Sequence, residues 1–488
     1  MISLLVREKL YVNEVVLGTA FGVLMGPRGV NAFDPRSWGS HQNEITLEIL
    51  RVVLVAGLFA VGVELPSAYM KKHAKGLLIM VVPTMTFGWV VVAAIIHTLF
   101  PNLNMTSALC ISACLTPTDP VTCAAITRGS FAQKHVPEEI RHILTAEAAA
   151  NDGLAYPFLS ISLYLLTESS VGTAIQKGFL IGWLYQVIFG TFLGSVIGLL
   201  FSKLMQFSHC KNLMDQESYI AQYLALAIFV TGVAYSLGAD DLLAAFAAGR
   251  CAVAWDGDFK DQTEGDTFAS VIDCVLNCAC FIYIGAWLPF GSYESEELGI
   301  TPTRLIVLMI GILLVRRIPF LVLLYKWIPE ITSWKEALFS GHFGDQFQMG
   351  VSAVFVSTLA RTRLPSPVDP LANEQQMLAA TIQPIVSFVV LGSILIHGLS
   401  IPFFNAGQQL ARSVTITSIN RPRKTSDTGA SDSELGIATR KVGDSAYSGT
   451  CKGNDAKSSS GTASTGDVIT DLIIPQMDQE AVRRADKV

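Results

Sequence analysis

Residues 145–158 read TAEAAANDGLAYPF, and three polar side chains fall within two helical turns of an otherwise apolar stretch. Glu147 and Asn151 are four residues apart, so a helix puts them on one face. Asp152 lies about 100° further round. One helix thus offers a carboxylate beside an amide, and a second carboxylate on the neighbouring face. A helix end, with Glu147 at an interface and Asn-Asp-Gly as a loop, is the structural alternative. The apolar run continues through LAYPFLSISLYLL, which argues against it. An ionised carboxylate near the centre of a bilayer costs several kcal/mol, with about 2.5–3.5 as a low figure, so such groups are functional by default.

One candidate span earlier, SACLTPTDPVTCAAIT (112–127) sets Thr118 and Asp119 between Pro117 and Pro120. Each proline lacks a donor and clashes with the preceding turn, so the helix is expected to break there. A broken helix at membrane depth survives where it lines a cavity or is covered by protein. Its released carbonyls, beside a carboxylate and a hydroxyl, are ready ligands for a small cation. LLVRRIPFLVLLYKW (313–327) places Arg316 and Arg317 inside another apolar run. One can snorkel to the interface, but two arginines so deep call for a buried acid, and Glu147 is the natural candidate. GHFGDQFQMGVSAVF (341–355) has Gly341, Gly344 and Gly350, which weaken a second helix. Two interrupted helices in corresponding halves point to an inverted-repeat transporter with a site at mid-membrane.

The elements that must position these residues follow from composition. The chain has 488 residues, 51% hydrophobic and only 15% charged, with a mean hydropathy of +0.46. A soluble chain carries nearer a quarter of charged residues. Twelve apolar stretches approach the length needed to cross a bilayer: 11–26, 47–64, 76–100, 105–127, 141–166, 179–205, 219–237, 241–255, 268–290, 303–325, 336–360 and 378–404. The first and eighth are short. KKHAKG (71–76), Arg128, Lys134, Arg141, SKLMQFSHCK (202–211), YKWIPEITSWK (325–335) and RPRK (421–424) fall on one side, and the acidic SYESEELG (292–299) on the other. By the positive-inside rule this predicts cytoplasmic termini, with ARTR (360–363) as the one segment against it. The expected organisation is an all-α polytopic membrane domain over 1–411 and a polar, disordered cytoplasmic tail over 412–488. The nine cysteines lie mostly in apolar runs without metal-type spacing and read as buried small residues. The first residues show no cleavable signal peptide pattern.

Other polar positions have quieter readings. Asp240 and Asp241 precede LLAAFAAG and suit a helix N-terminus, with a role at the outer mouth of an ion path as the second reading. Asp273 and Asn277 share a face and read as packing or pathway groups. His342 and His397 read as core histidines, and Glu64 as interfacial.

The motifs VELPSAYM, CLTPTDPV, TAEAAANDG, GADDLLAAFAAG, AWDG, FIYIGAWLPF, RRIP and SGHFG stand in one order across essentially the whole membrane part. In this the chain resembles the fungal plasma-membrane sodium (potassium, lithium)/proton antiporters of the monovalent cation/proton antiporter superfamily. The resemblance implies an inverted-repeat fold of about twelve spans with two interrupted helices, and a homodimer in the plasma membrane. It implies exchange of Na+, Li+ or K+ for protons by alternating access, with no cofactor and no nucleic-acid partner. Asp152 would bind either cation or proton, with Asp119, Thr118 and Asn151 completing the site, so that Asp152 and Asp119 are the carboxylates that meet the alkali ion. Glu147 would pair with Arg317 rather than Arg316. Asp241, Asp240 and Asp273 are the pathway candidates.

Three departures stand out. The family usually begins with one more spanning helix. Many relatives carry Ser where this chain has Ala148, a lost oxygen expected to weaken binding or shift selectivity among the alkali ions. DQFQM separates FG from GV, where relatives are more compact. Rival classes are a cation channel, for which there is no repeated filter motif, a transport-impaired paralogue with a regulatory role, and an intramembrane aspartyl protease, whose Gly-x-Gly-Asp pattern is broken by Phe343. No GxxxxGK[ST] loop marks a primary pump.

Overall fold

The computed structural model describes residues 14–65, 69–118, 136–211, 216–252, 267–343 and 349–419, with 209–210, 216–220, 267–273, 342–343 and 399–419 described by backbone alone. The chain divides into two compact units, 1–404 and 405–488, and the helices that position the site belong to the first. Among the described residues the fold is all-helical apart from one isolated bridge between Ser295 and Ile300.

In chain order the described α-helices of seven residues or more are α1 (Glu14–Met25), α2 (Gln42–Glu64), α3 (Ala74–Leu99), α4 (Met105–Cys114), α5 (Glu138–Thr167), α6 (Val171–Lys177) and α7 (Gly190–Cys210). A π-helical stretch, Gly178–Phe189, joins the last two. Then come α8 (Gln216–Ser236), α9 (Asp241–Ala252), α10 (Thr267–Trp287), α11 (Pro302–Val315), α12 (Ile318–Leu324), α13 (Trp334–Phe343), α14 (Val351–Arg363) and α15 (Glu374–Ile419). Among the described residues five helical stretches are long and apolar enough to cross a membrane: Gln42–Glu64, Ala74–Leu99, Val171–Ser208, Pro302–Trp327 and Glu374–Gly398. The polar centre of α5 keeps it out of that group. Phe179, Leu184, Ile188, Phe192, Leu200 and Leu204 are exposed along one continuous apolar stretch, which is how a lipid-facing surface reads.

Local chemistry sets the ends. The Asn104 side chain accepts the Ser107 N–H at 2.7 Å and starts α4, and Thr301 with Pro302 starts α11. The expected span 303–325 is not one helix. It breaks at Arg316 and Arg317, because Pro319 cannot donate and its ring disfavours helical geometry in the turn before it.

The small residues of α9 (DLLAAFAAGRCA) let it sit deep between two neighbours. A Cβ on Gly249 would stand 2.3 Å from the Phe59 carbonyl oxygen of α2, and one on Gly194 of α7 would stand 2.1 Å from that of Ala244. Backbones this close require glycine at the crossing. The start of α9, with Asp240 and Asp241, is thereby held in the interior.

Candidate functional site

α5 is unbroken from Glu138 to Thr167, so Asn151, Asp152 and Gly153 form helix and not loop. Gly153 serves close packing: a Cβ there would stand 2.1 Å from Leu243 Cγ. Pro157 leaves the carbonyl one turn earlier without its usual helical donor, yet the neighbouring packing keeps the helix continuous. Glu147, Asn151 and Asp152 are all fully buried.

Two chain breaks converge on Asp152. α4 ends at Cys114, and the segment through Pro117 leaves the Thr118 N–H outside any helix. That N–H donates to Asp152 Oδ1 at 3.1 Å, and the Thr118 hydroxyl donates to the Ala148 carbonyl at 3.5 Å. From the other side, Met349 and Gly350 stand outside helix just ahead of α14, which begins at Val351. Ser352, in the first turn of α14, donates its hydroxyl to Asp152 Oδ2 at 2.8 Å. The opening turn of a helix has N–H groups without intrahelical partners and favours negative charge nearby. One carboxylate oxygen therefore takes a donor from the non-helical segment that follows α4, and the other from the opening turn of α14. Asp119, the acidic member of the broken segment, lies outside the described residues, as does Asp345.

Around this centre the arginines divide their work. Arg317 Nη2 donates to Glu147 Oε2 at 2.6 Å, both side chains being wholly enclosed. Arg316 Nη2 donates to the Thr116 carbonyl at 2.8 Å, holding the unwound segment just ahead of Thr118. Asn151 lies against Glu147 but out of hydrogen-bonding geometry.

A second polar cluster lies one turn further along α5. The Tyr156 hydroxyl donates to Asp241 Oδ1 at 2.8 Å, and Arg51 Nε stands 2.8 Å from Asp241 Oδ2. Arg51 also donates to Glu48, and its guanidinium lies 4.3 Å over the Tyr235 ring and 5.6 Å from that of Phe355. The two aspartates expected to cap α9 thus differ. Asp240 Oδ1 accepts the Leu243 N–H at 3.0 Å and does cap the helix, whereas Asp241 faces Tyr156 and Arg51. Asp273 is placed on α10 by its backbone alone, and Asn277 is buried on the same helix.

Sequence reasoning passed over Ser352, Tyr156 and Arg51. Arg51 had a signal, since it sits in the apolar run LEILRVVLVAGLF three residues after Glu48. Ser352 had none, because one hydroxyl among the small residues of VSAVF is unremarkable.

The chain belongs to the sodium/hydrogen exchanger transmembrane family, whose model matches residues 1–406. It is 40% identical over 429 residues to a Na+/H+ antiporter of Saccharomyces cerevisiae, covering 86% of this chain and 43% of that protein. It is 39% identical over 444 residues to Na+/H+ antiporter 2 of Zygosaccharomyces rouxii, covering 88% and 54%. To a Na+/H+ antiporter of Schizosaccharomyces pombe it is 37% identical over 400 residues, covering 81% and 85%. The chain spans about half the length of the first two relatives and most of the third. The fold matches that of the sodium proton antiporter MjNhaP1 from Methanocaldococcus jannaschii with a TM-score of 0.56 at 18% identity, covering 81% of this chain and 92% of that one.

Proposed function

We propose that this chain exchanges Na+, Li+ or K+ for protons by alternating access, with Asp152 as the group that holds one or the other. The observation that carries this reading is the position of Asp152: fully buried on an unbroken helix, with its two oxygens served by Thr118 from the non-helical end of one segment and Ser352 from the opening turn of another. A carboxylate in such a place can be neutralised by a proton or by an alkali ion, and a proton and an ion compete for it. When the ion is bound, the hydroxyl oxygens of Thr118 and Ser352 offer lone pairs beside the carboxylate, and Asp119 and Asn151 complete the shell.

Glu147 and Arg317 fix α5 to the break between α11 and α12. Asp241, with Asp240 beside it, lines the route on one side of Asp152, where the Arg51–Asp241 pair and Tyr156 close the path one turn away. Asp273 belongs to the same route. The working form is a homodimer in the plasma membrane, with both termini cytoplasmic.

The test uses purified protein in liposomes with an acid interior and a pH-sensitive dye. Addition of Na+, Li+ or K+ is expected to dissipate the gradient, choline to leave it, and Asp152→Asn to abolish the response. Alkali-cation conductance without proton movement would replace the antiporter with a channel, and an unchanged Asp152→Asn response would remove Asp152 from the site.

A further inference from the structure

Away from Asp152, α1 and α10 meet along a seam of small residues. Gly18 faces Phe281 Cβ and the Cys278 carbonyl at 3.2 and 3.5 Å from a built Cβ. A Cβ on Gly22 would stand 2.1 Å from the Ile282 carbonyl oxygen, and one on Gly285 would stand 2.2 Å from that of Thr19. Helices this close have little freedom to slide or rotate against each other. One turn before Gly18 stands Glu14, and Cys274 and Cys278 occupy one face of α10 opposite it. The Cys274 thiol donates to Glu14 Oε2 across 3.6 Å. The carboxylate oxygen and the two sulfurs all lie within 4.8 Å of one another, and all three residues are half-buried.

We propose that Glu14, Cys274 and Cys278 form a binding site for a thiophilic divalent cation, of which Zn2+ is the type. Two thiols and a carboxylate are a zinc donor set, whereas hard ions such as Na+, Mg2+ or Ca2+ take oxygen. Zinc bonds of about 2.3 Å to sulfur and about 2.0–2.2 Å to oxygen in a tetrahedron separate the ligands by roughly 3.5–3.8 Å. The present spacing, within 4.8 Å, exceeds that value by about an ångström at most. On binding, each thiol gives its proton to solvent and the carboxylate keeps its charge, so one Zn2+ replaces two protons. The fourth position remains for water. The ion clasps α1 to α10 at the end of the glycine seam. The Glu14 carboxylate alone has a simpler use, since an acid in the first turn suits the helix dipole. The two facing thiols are what that use leaves unexplained.

The site is independent of the transport reading, and so is its test. Reduced full-length protein in detergent is alkylated with N-ethylmaleimide with and without Zn2+, and each cysteine is read separately by mass spectrometry. Zn2+ is expected to slow alkylation of Cys274 and Cys278 together, to leave half-buried Cys251 unaffected, and to have no counterpart with Ca2+. Glu14→Gln is expected to raise the Zn2+ concentration needed by about tenfold or more. In the unaltered protein Co2+ should give a sulfur-to-metal charge-transfer band, which the double variant Cys274→Ser, Cys278→Ser removes. Equal protection of Cys251, indifference to Glu14→Gln, or no charge-transfer band with Co2+ would each overturn the site.

Discussion

Glu147 stands five residues before Asp152 on α5 and Tyr156 four residues after it, and each leads to a buried ion pair. The Glu147–Arg317 pair is sealed, with both side chains at 0% exposure. Arg317 Nε and Nη1 have no further hydrogen-bond partner among the described residues. The Arg51–Asp241 pair is nearly as buried, at 6% and 2%, but it continues outward. Arg51 also holds Glu48, whose side chain is 56% exposed, and stacks on the exposed Tyr235. The contrast teaches what each pair can do. A sealed pair has no water to replace its partner, so separating it leaves two naked charges in a low-dielectric interior. A pair connected to the surface can trade its partner for a second carboxylate or for water. The first suits a permanent tie between α5 and the broken α11–α12 helix. The second suits a closure that opens.

Three substitutions test that contrast, from the largest expected effect downward. Glu147→Gln strands the Arg317 guanidinium and is expected to cost about 3–5 kcal/mol of stability, read as a lower unfolding midpoint in detergent. Replacing Arg317 by Gln as well should restore most of the loss. Arg51→Ala leaves Asp241 with the Tyr156 hydroxyl and should cost about 1–3 kcal/mol. The same variant should raise cation-independent leakage of the liposome pH gradient. If Arg51→Ala destabilises as much as Glu147→Gln and adds no leak, both pairs are structural and the contrast falls. Ser352→Ala removes one donor from Asp152 and should cost about 1 kcal/mol, seen as a roughly fivefold rise in the half-saturating cation concentration. Its maximal rate and unfolding midpoint should stay close to those of the parent, which separates a site residue from either ion pair.

Much of this was legible in the chain. Apolar runs with few charges announced membrane helices, because a bilayer requires each backbone polar group to be satisfied within its own segment. The helix ahead of Pro117 ends at Cys114, near the break that the sequence predicted, and Gly350 stands outside helix at the start of α14. The arginine pair drew attention because charge in an apolar run needs a reason. Which arginine met which acceptor was a different matter, since adjacent residues point about 100° apart and only the packing of α11, α12 and α5 decides which one faces Glu147.

The environment and the inventory were written locally along the chain: a helical membrane domain, a carboxylate in mid-helix, a helix that stops ahead of Pro117 and two deep arginines. These are local properties, fixed by hydropathy, proline geometry and the cost of burying charge. Only the tertiary structure decided the pairings. It brought Ser352 to Asp152 across 200 positions, Arg317 to Glu147 across 170, and Arg51 to Asp241. Hydrogen bonds and ion pairs are short-ranged, so a partner is chosen by the close approach of helices, and that approach is set by glycine and alanine at crossings far from the charges they align.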